Sequence, residues 1–157
     1  MSQVSIRRAA KADAPVILTL LRELAVFEKL LETFRLDEAA VTRDLMGENA
    51  AAHCDLAFLD GEVAGLAVWY RAYASFRARR GLYIEDLYVR PAFRGRGLGR
   101  ALLAHLARET GAGWMKWTVL DWNVDAIGFY ERIGARPVEQ WLTYALEGEA
   151  MTWLNQS

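Results

Sequence analysis

A mixed β-sheet with helices on both faces, in a single α/β domain, is the fold class that this sequence of 157 residues predicts. Three observations predict it. Apolar spacing switches between a two-residue and a helical period along the chain, in the order β-α-α-β-β-β-α-β-α-β. Asp60-Gly61 separates two apolar runs as a two-residue hairpin turn. The apolar strand Leu82 to Val89 runs into three closely spaced glycines and then into a helical pattern.

Each element has its own signal. Val4 to Arg8 reads as the first strand. The first helix starts near Asp13, an N-cap residue type, with Pro15 in its first turn and Ile17, Leu20, Leu21 and Leu24 at helical spacing. A second helix follows Leu36-Asp37, with Asp37 as cap and Val41 and Leu45 on one face. Cys54 to Leu59 and Glu62 to Tyr70 form the hairpin, and Arg71 to Arg80 is a basic connection to the central strand. After the glycines come a helix around Arg100 to Arg108, a strand at Trp114 to Val119, a helix at Val124 to Ile133 and a final strand at Trp141 to Leu146. The tail from Glu147 carries Met151, Trp153 and Leu154, which need cover from the body or from a partner subunit.

Composition narrows the function classes. The chain is 54% hydrophobic and 25% charged, the balance of a globular domain with a sizeable core. A formal net charge of −1 supplies no general attraction to nucleic acid or to an anionic membrane, and no apolar run is long enough to span one. The N-terminus lacks the layout of a secretory signal. One cysteine, Cys54, excludes an internal disulfide, and with two histidines it makes a zinc site a poor reading; no metal is expected. Cys54 is read as core, and His53 and His105 as surface or packing residues. A reducing cytoplasm fits these counts.

A strand that feeds glycines and a helix start can hold a phosphate. Glycine lets the backbone approach closely, and the first helical turn has free N–H groups aimed at the anion. Arg94, Arg96 and Arg100 add charged donors around Gly95, Gly97 and Gly99. A P-loop needs Lys-Ser or Lys-Thr after its glycines, and none follows; the G-x-G-x-G spacing late in the chain also departs from a dinucleotide fingerprint. The pyrophosphate arm of coenzyme A remains. Arg94-Gly95-Arg96-Gly97-Leu98-Gly99 resembles the acyl-CoA loop of the GNAT acetyltransferase superfamily, and Asn123, Ala126, Phe129-Tyr130 and Gly134-Ala135 resemble its second half. The resemblance covers most of the chain. It implies a GNAT-type sheet, mixed and mostly antiparallel, with acetyl-CoA as cosubstrate.

Leu82 to Val89, Trp122-Asn123, Phe129 to Ala135 and Leu24-Ala25-Val26-Phe27-Glu28 resemble more closely the diamine (spermidine/spermine) and thialysine N-acetyltransferases. By that resemblance Tyr130 is the proton donor to the leaving thiolate, and Glu85 accepts the amine proton, directly or through water. Phe27, Glu28, Glu85 and Asp86 line the acceptor side. Asn123 and Ala126 contact the cofactor with the arginines and glycines of the loop. A sheet bulge would let the backbone of Leu87 and Val89 bond the pantetheine. A homodimer is also implied.

Residue chemistry fits such a reaction. An ammonium with a pKa near 10.4 is neutral about once in two to three thousand molecules at pH 7, a cost of roughly 4–5 kcal/mol that a nearby base relieves. Glu85 and Asp86 interrupt an apolar strand, where carboxylates rarely sit without a reason. Successive strand residues face opposite ways, so both reach one spot only across a bulge. Bland readings stand beside these: Tyr130 as a packed aromatic, Glu28 as a solvated helix end. Phe27 stands where the family usually has Tyr, and the segment from Arg136 to Trp141 is shorter than in the polyamine enzymes. Arg71, Arg77, Arg79 and Arg80 form a basic stretch that opposes a polyamine and suits an acceptor with a carboxylate beside its amine. Alternatives are a protein or peptide amine acetyltransferase and a noncatalytic acyl-CoA-binding module; an RGG-like nucleic-acid contact fits neither the charge nor the strand–loop–helix context.

Overall fold

The turn at Asp60–Gly61 closes the hairpin expected of it. In the computed structural model, which describes residues 1–157, the two residues have φ of 51° and 84°, the double positive φ that a tight hairpin turn demands. Strand β2 (His53–Leu59) thereby pairs antiparallel with β3 (Glu62–Ala74). β1 (Val4–Arg8) pairs antiparallel with β2, and β4 (Arg79–Val89) antiparallel with β3. β5 (Met115–Lys116) lies parallel to β4, so the sheet is mixed and mostly antiparallel, in the order β1-β2-β3-β4-β5.

Contacts divide the chain into two units. Met1–Trp122 holds the sheet with α1 (Ala14–Phe27), α2 (Glu38–Met46) and α3 (Leu98–Thr110); Asn123–Ser157 holds α4 (Val124–Arg132) and α5 (Gly148–Asn155). In the first unit Ile17, Leu20, Leu21 and Leu24 of α1 recur on one face and pack with Cys54, Leu56, Leu66, Val68 and Tyr88. Burying each large side chain contributes about 1.5–3 kcal/mol. Cys54 is core, as expected, and burial pushes its thiol far above the usual range. The opposite sheet face is covered by α3, whose Leu98, Leu102, Leu103 and Leu106 are buried. Helices therefore lie on both faces, as the sequence predicts.

Asp55 alternates with Cys54 and Leu56 and so points under α3, where it is 1% exposed. Its carboxylate accepts from Trp69 Nε1 at 2.7 Å and Arg8 Nε at 3.1 Å, and lies 3.1 Å from His105 Nε2. His105 thus ties the helix to β2, a role its position on a helical pattern does not show. Removing the acceptor strands these donors. Asp55→Ala is expected to lower stability by about 3–5 kcal/mol, read from the denaturant midpoint.

Four expectations are corrected. Asp13 stands at the N-cap of α1 without capping it; its carboxylate turns back to Arg7, at 2.7 and 2.9 Å, and to the Ala10 amide. The Arg7 hydrogen bond holds that carboxyl below its usual range. Arg71 to Arg80 is no loose connection but the far end of a long hairpin, its ladder running to Ala74 opposite Arg79 and braced by Tyr70 stacked on Tyr83 at 5.1 Å. The strand expected at Trp114 to Val119 is reduced to Met115–Lys116, because pairing with β4 stops at Tyr83. Trp141 to Leu146 forms no strand: no neighbour offers it a ladder, and Trp141, Leu142 and Tyr144 are 80%, 81% and 89% exposed. Asp37 behaves as predicted, its side chain accepting from the Ala40 amide at 2.7 Å.

Candidate active site

The chain leaves β4 at Val89, makes one 3₁₀ turn at Pro91–Phe93, and enters α3 at Leu98. Gly95 and Gly97 hold φ of 75° and 78°, left-handed conformations that side chains rarely adopt, and a Cβ on either would meet nothing within 4 Å. The constraint is torsional, and the space before the loop is open. The first bond within α3 runs from the Ala101 amide to the Gly97 carbonyl, so the amides of Leu98, Gly99 and Arg100 have no partner in a preceding turn. Together with the dipole of a thirteen-residue helix they favour an anion. Arg96 and Arg100 are exposed beside it. Arg94 lies back along the strand, where its Nε donates to the Val89 carbonyl at 2.8 Å and its guanidinium stands 5.0 Å from the centre of the Phe27 ring.

Upstream, the ladder between β3 and β4 slips. Val68 pairs with Asp86 but Trp69 pairs with Ile84, which leaves Glu85 as the extra residue of a bulge. The bulge is the device needed to bring two adjacent carboxylates into one region. On the other edge, β4 beyond Tyr83 has no strand partner, so the backbone around Leu87 and Val89 borders an open edge. Val89 already spends its carbonyl on Arg94.

Asp86 lines a pocket of about 280 Å³ with Leu21, Leu24, Ala25 and Glu28 of the α1 side and with Arg35. Burial, then the charges of Glu85 and Glu28, push the Asp86 carboxyl up to about 7. Burial likewise raises Glu28, which is half-buried at the C-cap of α1. Glu85 is exposed and is not a wall of the pocket; its charge bears on Asp86 and, after burial, helps raise the Tyr70 hydroxyl. Phe27 is no wall either: its ring meets Trp122 at 5.9 Å as well as Arg94. The structure thus joins Glu28 and Asp86, holds Glu85 near them, and leaves Phe27 outside the pocket.

In the second unit, Asn123 caps α4, its side-chain oxygen accepting from the Ala126 amide at 3.3 Å. The two residues expected at the cofactor therefore form one helix start. Tyr130 is half-buried on α4 with its ring 5.3 Å from Phe129. Gly134, at φ 94°, and Ala135 close the helix by bonds back to Glu131 and Tyr130.

The pocket residue that sequence reasoning missed is Arg35, because it follows a 3₁₀ turn with no periodicity to mark its direction. Strand β4 carries Asp86 in the pocket and then leads into the helix start, whose free amides suit an anion, while the paired carboxylates of the pocket suit a cation. A buried carboxylate raised to about 7 is suited to taking a proton from a bound group.

Comparison with known proteins adds three findings. The sequence model of the acetyltransferase (GNAT) family matches residues 18–135. The chain is 36% identical over 165 aligned residues to thialysine N-epsilon-acetyltransferase of Sus scrofa, covering 96% of each, and 41% identical over 95 residues to L-ornithine N5-acetyltransferase of Arabidopsis thaliana, covering 59% of this chain and 42% of that one. Its fold is that of an integron cassette protein from the V. cholerae mobile metagenome, with a TM-score of 0.81, 24% identity and 98% of both chains covered.

Proposed function

The chain belongs to the acetyltransferase (GNAT) family, and from that premise we propose that it moves the acetyl group of acetyl-CoA onto the terminal primary amine of a lysine-like amino acid or short diamine. The enzyme class and the breadth of acceptor are established by kinship: the protein is an N-acetyltransferase of small amines. The observation that carries the finer reading is Asp86, a largely buried carboxylate set by a bulge into an apolar-walled pocket that also holds Glu28.

Acetyl-CoA, when bound, supplies an activated thioester carbonyl. The glycine loop suits its diphosphate: the open space before Gly95 and Gly97 and the free amides of Leu98, Gly99 and Arg100 accept an anion, and Arg94, Arg96 and Arg100 add charge. The bare edge of β4 at Leu87 and Val89 suits a pantetheine laid along it as an added strand. Glu28 and Asp86 draw the ammonium into the pocket. The ammonium proton passes to Asp86 and on to water beside exposed Glu85. The neutral nitrogen then forms a bond to the acetyl carbon as the carbon–sulfur bond breaks, and the electron pair left on sulfur takes the Tyr130 proton. The second proton shed by the acylated nitrogen passes to water, from which the tyrosinate is reprotonated. Asn123 and Ala126 build the start of the helix that carries Tyr130.

We further place the enzyme in the cytoplasm, as a single functional domain and a homodimer. The family match, which runs through the first unit into the start of the second, supports the single domain, and the exposed Trp141, Leu142 and Tyr144 support a partner. No helix is long and apolar enough to cross a membrane.

Thiol release from acetyl-CoA with a panel of amines, amino acids and peptides tests the reading; release with peptides alone would overturn it. The cofactor half has a separate test. Gly97→Val forces a β-branched residue into a left-handed N-cap and crowds the anion's approach. Acetyl-CoA affinity measured by calorimetry is expected to fall by about 10–100-fold, the scale of lost charge-assisted bonds.

A further inference from the structure

The acceptor pocket has one cation among its walls, and the reaction above leaves it without a task. We propose that Arg35 recognises the carboxylate of an amino-acid acceptor, so that the enzyme prefers a diamino acid to the diamine of the same length. The inference rests on the small-amine reading and adds the residue that sets its selectivity.

Arg35 is held for such a role. Its Nη1 donates to the Glu32 carbonyl at 2.7 Å and to the Phe34 carbonyl at 3.0 Å, which fixes the guanidinium at the end of the 3₁₀ turn Leu31–Thr33. Both partners are neutral, so its charge is not cancelled, and none of the ion pairs in the chain includes it. Nε and Nη2 make no hydrogen bond inside the protein and together present two parallel donors, the fork that fits a carboxylate. The same pocket carries Glu28 and Asp86, of opposite sign. An acceptor with an ammonium at one end and a carboxylate at the other satisfies both poles. A diamine satisfies the acidic pole and sets its second ammonium near a fixed cation, which like-charge repulsion opposes.

This relocates the charge expected to select the acceptor. Arg79 and Arg80 pair with Ala74 and Tyr73 at the far end of the hairpin. At ~3.3 Å per residue, Arg80 lies about 20 Å along the strand from Asp86. None of Arg71, Arg77, Arg79 and Arg80 lines the pocket.

Two acceptors isolate the carboxylate: ornithine, and 1,4-diaminobutane, which is ornithine without it. The readout is the ratio of their kcat/KM values, measured on one preparation at saturating acetyl-CoA, so that a partly unfolded variant cannot mimic the effect. The unmodified enzyme is expected to favour ornithine. In Arg35→Met the ratio is expected to fall by about 10–100-fold, the scale of hydrogen bonds to a charged group, with the diamine gaining as repulsion is removed. Arg35→Lys, which keeps the charge and loses the fork, is expected to fall between the two. A ratio unmoved by Arg35→Met, or an unmodified enzyme that turns over both acceptors equally, overturns the role of Arg35 alone. If neither acceptor nor any other small amine releases thiol, the small-amine reading fails and takes this one with it.

Discussion

Asp86→Asn is expected to reduce acetyl transfer by about 10²–10⁴-fold, the range of general-base catalysis, with acetyl-CoA affinity changed no more than a few fold. The amide keeps the size of the carboxylate and loses its ability to take a proton. Because burial and the charges of Glu85 and Glu28 raise the Asp86 carboxyl to about 7, it is neutral below that pH and ionised above it. Activity of the unmodified enzyme is therefore lost as pH falls through about 7, over and above the loss from protonating the amine itself. The Asn variant lacks that extra fall. Glu85→Gln is expected to cost less, since Glu85 is exposed and outside the pocket wall. Steady-state kinetics from pH 5 to 9 decide the matter: if Glu85→Gln is the more damaging change and the Asp86→Asn profile keeps its shape, the proton goes to Glu85.

Stability supplies a second readout of the same substitution, with opposite sign. The native carboxyl titrates near 7 and an unfolded one near 3.9, so between those values the native state holds a proton that the unfolded state does not. The contribution is fully present below about 3.9 and is lost as pH rises through about 7. Above that, the native state keeps a buried anion among carboxylates. Asp86→Asn removes it, and at pH 8.5 the variant is expected to be more stable by about 1–3 kcal/mol, the difference closing towards pH 4. A residue selected for packing alone shows no such exchange of activity for stability.

Tyr130→Phe is expected to lower kcat by about 10–10⁴-fold while the KM for acetyl-CoA stays within a few fold. The substitution keeps the ring that packs 5.3 Å from Phe129 and removes the phenolic hydroxyl, the group that carries the proton. A variant with slowed turnover and intact folding identifies the hydroxyl as the proton source for sulfur. Equal turnover returns Tyr130 to the role of a half-buried aromatic on α4.

Local signals were the legible ones. The turn at Asp60–Gly61 requires two positive φ angles that few dipeptides supply, and the cap at Asp37 is a contact between residues three apart, so both can be read from neighbours in the chain. The glycine loop belongs to the same class. What depended on a distant partner could not be read. The bulge is a property of two strands in register, and nothing in the order Ile84-Glu85-Asp86 says which carboxylate is left over. Asp13 has a cap's position, yet Arg7, which offers it a full charge, wins its carboxylate. Trp141 to Leu146 has the composition of a strand, but composition cannot provide the neighbour that makes one. Arg35 carried no pattern at all; only the folding of its turn against α1 shows which pocket it serves.

The strands of this sheet stand side by side in the order in which they are synthesised. Such wiring leaves two long closures, the excursion from Ala9 to Ala52 that joins β1 to β2 and the crossover through α3 that joins β4 to β5. Closure entropy grows only logarithmically, so doubling a loop costs ~0.6 kcal/mol. Within that excursion α1 is bound into the core, whereas Lys29 to Arg35 is largely exposed and hangs between two helices. Phe34 and Leu36 pack the segment that carries Arg35 against the core, but no ladder hydrogen bond ties it to the sheet that carries Asp86. An enzyme built this way can change whom it acetylates by exchanging a surface loop, while the carboxylate and the anion-binding helix stay where the strands hold them.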